Sequence, residues 1–441
     1  MSIPLELVKK RVDVVVGLQY GDEGKGKIVH FLTSKQNEYV LCIRSTGGPN
    51  AGHTVWLDEE TKIVTHQVPT GILNGVKSYI ARGCYIDPVK LAKEIKTIRS
   101  TRFYKIQIEP YNLLISKNCH VIMPEHIKED SLDKQKIGTT KQGIGPCAID
   151  KYSRKGIRLI DLIGVNKNGS INKILLKKLL ANVSEEESDK FIESIEFISQ
   201  FTHKGSDEID TIHQWLLSNG KILIEGAQGN MLNISSDNYP YVTCSATNVA
   251  GLLDGAGFPP SSIDKVIGVV KPYVTYVGDG KLADIPASKD VADAIVALGQ
   301  EYGSTTGRKR HIYPFNHVEF EKALFENGVN VLAICKVDVM HSLLGRYTDS
   351  SKGFEYGDDW QYCHFHGECN IDDIVSTFKK TTASNLDDNV IISFGIYEEE
   401  MAVRNTNKTD IMENMYNMMS KIEALNKISE KVGRPFQREP I

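Results

Sequence analysis

Short apolar runs recur along this 441-residue chain, separated by loops and by segments with the spacing of amphipathic helices. Aliphatic and β-branched runs predict buried strands, here at residues 14–16, 39–43, 62–67, 222–225, 266–270, 331–335 and 390–394. Helical spacing predicts helices at residues 89–98, 191–201, 289–298 and 412–425. Asp87 is a candidate N-cap for the first of these helices, with Pro88 at its first position.

The alternation of strands and helices predicts an α/β fold. We expect a single large domain over residues 1–441, with a mostly parallel, twisted central sheet and helices on both of its faces. Residues 1–11 precede the first apolar run, and we expect them to form a flexible N-terminal extension.

Composition and charge argue against several classes of protein. An apolar content of 41% and a charged content of 24% are typical of soluble globular proteins, and the net charge of −4 indicates neither a nucleic acid nor an anionic membrane as partner. No apolar run is long enough to span a bilayer, and residues 1–10 lack the apolar core of a signal peptide. The eight cysteines form no C-x-x-C pair, which favours a reducing, cytoplasmic compartment. The Cys- and His-rich stretch at residues 363–369 fits no standard zinc spacing.

Residues 13–27 read DVVVGLQYGDEGKGK and predict a strand that enters a P-loop-like, glycine-rich phosphate loop before a helix. Glycine lets backbone N–H groups turn toward a phosphate, and the helix N-terminus adds positive potential. The G-x4-G-K spacing that ends at Lys27 is that of a P-loop, but Ile28 stands where a P-loop has its magnesium-binding Ser or Thr. Asp22 lies inside the loop, so we expect it to hold a metal, act as a base, or do both. The alternative is a glycine-rich turn with incidental lysines.

Other loops after predicted strands carry polar groups that suit ligand binding. Residues 44–54 (RSTGGPNAGHT) include His53, a side chain suited to proton transfer near neutral pH. Residues 138–146 (GTTKQGIGP) offer hydroxyl and N–H groups to an anion, and Arg154 follows on a charged stretch that also fits a solvated face. Gln228 is able to read a base edge or to hold an oxyanion.

Cations follow two later turns. Residues 303–310 (GSTTGRKR) place three cations behind a Ser/Thr/Gly turn, which predicts an anion site that clamps carboxylates, with a basic solvated loop as the alternative. Lys336 and Asp338 follow the predicted strand at 331–335. An aspartate there would accept the N1 and N2 hydrogens of guanine, and adenine has no such donor pair.

Taken together, these motifs resemble the adenylosuccinate synthetase family, GTP-dependent carbon–nitrogen ligases that join IMP and L-aspartate. The matching blocks are GLQYGDEGKGK, STGGPNAGHT, GTTKQGIGP, EGAQG with YPYVT, and GSTTGRKR followed by KVD, between residues 17 and 338. The resemblance implies that GTP, IMP and L-aspartate give GDP, phosphate and adenylosuccinate through 6-phosphoryl-IMP. This reaction is the first committed step of AMP synthesis from IMP.

The resemblance also implies a role for each matching residue. Asp22 would be the base that removes the N1 proton of IMP, His53 the acid that assists phosphoryl transfer to O6, and Gln228 a third catalytic group. GTP would be bound by Gly21, Glu23, Gly24, Lys25, Gly26, Lys27, Gly52, Thr54, Arg310, Lys336 and Asp338. IMP would be bound by Asp22, Asn50, Ala51, Gly52, His53, Thr140, Arg154, Gln228, Thr243 and Arg308. Aspartate would be bound by Val277, Thr305, Thr306 and Arg308.

The resemblance further implies a magnesium ion (Mg2+) held by Asp22 and the Gly52 carbonyl. It implies a homodimer in which Arg154 reaches into the neighbouring subunit's site. The partners would then be the small molecules GTP, IMP and L-aspartate, with neither nucleic acid nor membrane, and the location would be cytoplasmic.

The chain departs from the family pattern at two places. The Ser-x-Gly-Pro type loop that contacts guanine in usual members has two candidate positions, residues 393–395 and 429–435, and neither follows that pattern closely. Residues 280–284 also differ from the Pro-Phe-Pro-Thr pattern. Two other functions stay open on the motifs alone. One is a ligase of the same phosphate-loop class that activates a carboxylate, and the other is a GTP-controlled switch protein.

Overall fold

The computed structural model describes residues 10–34, 38–58, 60–101, 108–132, 138–163, 171–202, 214–215, 220–278, 282, 286–303, 307–337, 339, 390–393 and 401–404. Several predictions lie outside these residues: those on Thr305, Thr306, Asp338, residues 363–369, the helix at 412–425 and the loop at 429–435.

The described strands are β1 (Val12–Gly17), β2 (Tyr39–Arg44), β3 (His53–Trp56), β4 (Lys62–Thr65), β5 (Lys77–Ile80), β6 (Tyr85–Ile86), β7 (Leu113–Ile115), β8 (His120–Val121), β9 (Lys221–Glu225), β10 (Ile263–Val270), β11 (Val274–Tyr276), β12 (His311–Tyr313), β13 (Val331–Ile334), β14 (Val390–Ser393) and β15 (Met401–Arg404). Nine of them form one sheet in the order β15-β14-β13-β10-β1-β9-β2-β5-β7. Every neighbouring pair in this sheet is parallel except β14 and β15, which are antiparallel.

The described helices are α1 (Lys25–Ser34), α2 (Pro88–Ser100), α3 (Pro124–Leu132), α4 (Ile144–Tyr152), α5 (Leu159–Leu162), α6 (Lys173–Leu179), α7 (Glu185–Ser199), α8 (Val249–Ala256), α9 (Lys289–Gly299) and α10 (His317–Asn327). The predicted cap of α2 is confirmed, because the Asp87 side chain accepts hydrogen bonds from Val89 N and Lys90 N. The helix predicted at residues 289–298 extends one residue further, to Gly299, and Gln300 adopts the left-handed C-cap conformation.

Side chains pack on both faces of the sheet, as the fold prediction requires. Alternate residues of β1 enter different clusters: Val14 and Val16 pack with residues of α8, whereas Val15 packs with residues of α1. Because both faces are covered, the central strands are mainly apolar, which is why each appears as an apolar run in the sequence. The structure therefore confirms the α/β fold with a mostly parallel sheet and helices around it.

The sheet order also decides where the motifs lie. The strands β13, β10, β1, β9 and β2 are consecutive neighbours, and their carboxyl ends share one edge of the sheet. The loops that leave this edge are the phosphate loop after β1, residues 45–52 after β2 and residues 226–229 after β9. In open parallel sheets, ligands bind at this edge. Among the described residues, no helix combines the length and apolar character needed to cross a membrane.

Candidate active site

Left-handed backbone conformations occur at three positions along this edge of the sheet, Asp22, Gln228 and Lys336. Six described non-glycine residues have positive φ: Asp22, Lys141, Arg154, Gln228, Gln300 and Lys336. Four of the six were predicted from the sequence as site residues. A non-glycine residue in this region costs on the order of 1–3 kcal/mol, and such residues cluster at active sites.

A buried carboxylate shapes the phosphate loop from inside. Glu23 has no exposed surface and accepts hydrogen bonds from Gln19 N at 3.1 Å and Gly21 N at 2.9 Å. Its other oxygen pairs with Lys25 Nζ at 2.5 Å. The Glu23 side chain is therefore committed to holding the loop, and a bound phosphate would have to compete with it for Lys25.

Three predicted parts of the site press against this loop. A Cβ built on Gly26 would lie 2.7 Å from the His53 Cβ, and one on Gly21 would lie 3.6 Å from the Gln228 Cα. A Cβ on Gly24 would lie 2.9 Å from the Sγ of Cys335, the residue before Lys336. Close approach of the neighbouring segments requires glycine at positions 24 and 26, whereas Gly21 has a φ of 88° that favours glycine. The structure thus brings His53, Gln228 and the start of the Lys336 segment against the phosphate loop.

His53 is held in a buried cluster that the sequence analysis missed. Its Nδ1 contacts Glu225 Oε1, and Arg44 Nη1 lies 3.1 Å from Nδ1 and 3.2 Å from Nε2. A carboxylate only accepts hydrogen bonds, so Nδ1 carries the proton in the neutral ring and Nε2 is left as the acceptor for Arg44. Glu225 also accepts from Thr70 Oγ1 at 2.6 Å and from Thr70 N at 2.7 Å.

Burial and the cations around His53 set its charge. Burial, followed by the nearby Arg44 cation, lowers the pKa of His53 to about 4, although Glu225 opposes the shift. The pKa of Glu225 is lowered to about 2, because its contacts with His53 and Arg44 outweigh the desolvation that alone would raise it. At neutral pH the cluster therefore holds a neutral imidazole beside an ionised carboxylate.

Asp22 is held by a second cluster of charged residues. Arg310 Nε donates to Asp22 Oδ2 at 2.8 Å, and Arg310 Nη1 contacts Glu301 Oε2. Glu301 is fully buried, and it accepts a hydrogen bond from Tyr273 OH at 2.6 Å and pairs with Lys271 Nζ at 3.4 Å. Lys271 and Arg310 are the main groups that lower the pKa of Glu301 to about 2, against the opposing effect of burial.

Two predicted IMP-binding residues have buried oxygens without a partner among the described residues. These atoms are Asn50 Oδ1 and Gln228 Oε1. A buried polar atom without a hydrogen bond is costly, on the order of 1–3 kcal/mol. Both residues lie on loops at the carboxyl edge of the sheet, so a ligand that offers hydrogen bonds there would remove this cost.

The remaining predicted residues are distributed around this centre. Arg308 Nη2 donates to Thr139 O at 3.0 Å, which brings the basic loop to the loop that carries Thr140. Lys336 Nζ donates to Gly299 O at 2.8 Å. The half-buried residues are Lys27, Gly52, Thr54, Thr140, Thr243 and Val277, while Ala51 is buried.

Arg154 lies apart from the others in this respect, because it is exposed just after α4. Its backbone N donates to Lys151 O at 3.1 Å, in a turn that gives it a φ of 63°.

The sequence did carry a signal for three of the four missed residues, Arg44, Glu225 and Lys271, but none for Glu301. Arg44 and Glu225 each end a mainly apolar strand, and Lys271 follows one directly. A charge at the end of a buried strand must be paired or exposed. The sequence does not reveal which partner each one finds.

The sequence comparisons agree with this geometry. The family model described as adenylosuccinate synthetase matches residues 14–345. The chain belongs to the adenylosuccinate synthetase family. Adenylosuccinate synthetase of Thermodesulfovibrio yellowstonii is 40% identical over 354 residues, which cover 78% of this chain and 81% of that protein. That of Borrelia turicatae is 38% identical over 352 residues, covering 75% of this chain and 77% of the relative.

Solved structures show the same fold. The fully ligated adenylosuccinate synthetase of Plasmodium falciparum matches with a TM-score of 0.72 and 27% identity, over 90% of this chain and 100% of that one. The succinoaminodeoxyadenylate synthetase of cyanophage S-2L matches with a TM-score of 0.64 and 22% identity, over 93% of this chain and 99% of that chain, and supports the fold alone. Adenylosuccinate synthetases are ligases that use GTP, so the chain is an enzyme of purine biosynthesis.

Proposed function

We propose that this chain joins IMP to L-aspartate with GTP as the phosphoryl donor and that the residues gathered at the carboxyl edge of the sheet carry out the reaction. The observation that carries the proposal is the pair of buried, unpartnered oxygens on Asn50 and Gln228, of which Gln228 lies beside Gly21 of the phosphate loop. Side-chain amides suit the edge of a hypoxanthine ring, because an amide oxygen accepts from N1–H and an amide NH2 group donates to O6.

The proposed reaction needs a base that removes the N1 proton of IMP and an acid that assists phosphoryl transfer to O6. The carbonyl oxygen O6 is a poor leaving group. Removal of the N1 proton by Asp22 places negative charge on O6, which attacks the γ-phosphorus of GTP and releases GDP. The amine of aspartate then displaces phosphate from 6-phosphoryl-IMP, and adenylosuccinate remains.

His53 is the proposed acid, and it lies against Gly26 of the phosphate loop. The ring is neutral in this structure, with Nε2 facing Arg44. The negative charge of a bound γ-phosphate favours the protonated imidazole, which raises its pKa. His53 would then stabilise the charge that develops during transfer. For this it must exchange its contact with Arg44 for one with the phosphate.

The other predicted residues bind the substrates in this proposal. Lys25, Gly26 and Lys27 hold the GTP phosphates, and Lys336 with Asp338 reads guanine. Arg308, with Thr305, Thr306 and Val277, holds aspartate. The contact between Arg308 and Thr139 O supports a shared site for aspartate and the IMP phosphate, because it joins the two loops.

A magnesium ion fits the donors at the phosphate loop. The Asp22 carboxylate and the Gly52 carbonyl are hard oxygen ligands, and magnesium commonly takes one or two protein oxygens and completes its shell with phosphates and water. When bound, the ion would neutralise charge on the transferring phosphoryl group.

Arg154 is proposed to act in the site of a second subunit, so the enzyme would be a homodimer. Its proposed location is the cytoplasm. The exposure of Arg154 and its strained backbone after α4 support its role in the second subunit, because a side chain that serves the partner's site must point away from its own.

The proposal is tested by following conversion of GTP to GDP with IMP and aspartate supplied singly and together, with the product identified by mass. We expect turnover only with both and the mass of adenylosuccinate. Turnover with GTP alone would favour a switch protein, and turnover with aspartate but without IMP would favour a carboxylate-activating ligase.

The shared site has its own test. Arg154→Leu protein and Asp22→Ala protein are each expected to be inactive, and mixing them should restore part of the activity because one mixed site has both residues intact. Absence of recovery in a mixture that exchanges subunits would contradict the sharing of Arg154.

A further inference from the structure

The contacts of Glu301 are unusual for a residue outside the predicted site. Its carboxylate is completely buried, yet it meets two cations, Lys271 and Arg310, and the hydroxyl of Tyr273. Its backbone oxygen also accepts from Arg310 N at 3.0 Å. Arg310 is thus tied to Glu301 through both its main chain and its side chain.

Lys271 holds this arrangement in place, and burying its charge costs free energy. It is fully buried after β10, and its Nζ donates to Thr275 Oγ1 at 2.6 Å and pairs with Glu301. Burial lowers the pKa of Lys271 to about 8, so the side chain stays mostly charged at neutral pH. Buried ion pairs often stabilise a fold no better than apolar residues of the same size. Stability alone therefore gives weak reason for two charges here.

The same cluster is joined to the phosphate loop. The side-chain amide of Gln19 donates to Lys271 O at 3.0 Å and to Tyr273 O at 3.2 Å, while its Oε1 accepts from Lys271 N at 3.1 Å. Gln19 lies three residues before Asp22. The hydrogen bonds of Gln19 therefore connect the segment of Lys271 and Tyr273, which contacts Glu301, to the phosphate loop that carries Asp22.

Arg310 connects Glu301 to Asp22, the proposed base. Its side chain is 10% exposed, and its guanidinium is divided between Glu301, which is fixed, and Asp22, which is 26% exposed. A planar guanidinium whose Nη1 is fixed by one carboxylate presents Nε in one direction only. Arg310 holds Asp22 Oδ2 in this way.

We propose that Glu301 is a positioning residue, which with Lys271 and Tyr273 fixes Arg310 so that the guanidinium orients Asp22 before substrates bind. This inference rests on the proposed role of Asp22 as base. It assigns to Glu301, Lys271 and Tyr273 an effect on turnover that acts through Arg310.

The experiment compares Glu301→Gln in two backgrounds, the natural sequence and Arg310→Met. We expect Glu301→Gln to lower kcat by about 10- to 100-fold in the natural sequence, because small displacements of catalytic groups have effects of this size. In Arg310→Met the same substitution should change kcat by less than about twofold, since the residue it acts through is gone. Unchanged kcat in folded Glu301→Gln protein, or an equal loss in both backgrounds, would overturn the proposal.

A matched control and a milder variant complete the test. Asp293→Asn also replaces a carboxylate by an amide, but in an exposed ion pair with Lys309, the residue before Arg310. It should leave kcat within about twofold. Tyr273→Phe removes one hydrogen bond to Glu301 and keeps the aromatic ring. If the Glu301→Gln protein does not fold, Tyr273→Phe tests the proposal in its place. It should lower kcat by about threefold in the natural sequence and not in Arg310→Met. An unchanged kcat in Tyr273→Phe would count against the proposal.

Asp22→Ala separates this inference from the proposed function. If Asp22→Ala retains turnover, the assignment of the base is wrong, and the positioning role fails with it. If Asp22→Ala is inactive while Glu301→Gln is fully active, only the positioning role fails.

Discussion

Asp22 and His53 are held in contrasting ways, although each contacts an arginine that a buried glutamate anchors. Around His53 the anchoring pair belongs to the sheet itself, because Arg44 and Glu225 are partners in the register of β2 and β9. The ring is covered on both nitrogens and only 6% of His53 is exposed. The strands thus fix this cluster.

Around Asp22 the anchoring pair, Glu301 and Arg310, lies within one loop region, nine residues apart. Only the Nε of Arg310 reaches Asp22, across 288 residues of sequence, and the Asp22 side chain stays partly open to solvent. The two clusters differ in what a change should damage. Near His53, substitutions should cost both folding stability and turnover, whereas at Asp22 they should cost mainly turnover.

The sharpest test of this contrast removes the two side chains themselves. Asp22→Ala and His53→Asn should each lower kcat by ~10²–10⁴-fold, the usual contribution of an acid or base. Only His53→Asn should also lower the free energy of unfolding, by about 1–3 kcal/mol, because it leaves Glu225 and Arg44 with an altered partner. Steady-state kinetics and denaturant unfolding measure both quantities. The exposed Asp237→Ala is the control, and an equal loss of stability in Asp22→Ala would break the contrast.

Glu225→Gln should have the next largest effect, a loss of unfolding free energy. It leaves Arg44 buried without its carboxylate, and breaking a buried pair in this way costs about 3 kcal/mol of unfolding free energy. Denaturant unfolding at pH 7 gives the value. A Glu225→Gln protein as stable as the natural one would mean that the strands alone hold His53 in place.

The same carboxylate predicts a dependence on pH. Its folded-state pKa of about 2 lies below the ordinary value of 4.5, so the ionised form stabilises the fold. This contribution is fully present above the ordinary value and is lost as the pH falls through about 2. Between these limits, unfolding free energy should fall less steeply with acid in Glu225→Gln than in the natural sequence. Parallel curves would contradict the low pKa.

Gly26→Ala tests how closely the phosphate loop packs against His53. The added Cβ would lie 2.7 Å from the His53 Cβ, so the histidine strand must shift, and we expect kcat to fall by roughly tenfold or more. Gly145→Ala is the matched control. Position 145 lies in α4, where a Cβ meets its nearest neighbour at 3.9 Å. Full activity of Gly26→Ala would show that His53 is free to move without loss.

Thr70→Val should have the smallest effect. It removes the hydroxyl bond to Glu225 and keeps the backbone N–H bond, which corresponds to about 1 kcal/mol of unfolding free energy and little change in kcat. A large fall in kcat in Thr70→Val would show that the Glu225 carboxylate must be held at both oxygens for turnover.

Much of the fold was predictable because its signals are local. The apolar runs of β1, β2, β9, β10 and β13 each appear in the sequence, and a sheet covered on both faces requires such runs. The cap of α2 follows from the pair Asp87-Pro88. The contact between Arg310 and Asp22 was not predictable, since no local pattern links residues 288 positions apart.

By itself the sequence determined the chemistry on offer: a phosphate loop with an internal aspartate, a histidine in a glycine-rich loop, and basic loops behind Ser/Thr turns. Those properties follow from residue type and spacing, which tertiary structure does not alter. Only the tertiary structure decided the electrostatics. It buried Glu225 and Glu301 beside arginines and thereby fixed the charge states around His53 and Asp22, because the cost of a buried charge depends on partners that folding supplies.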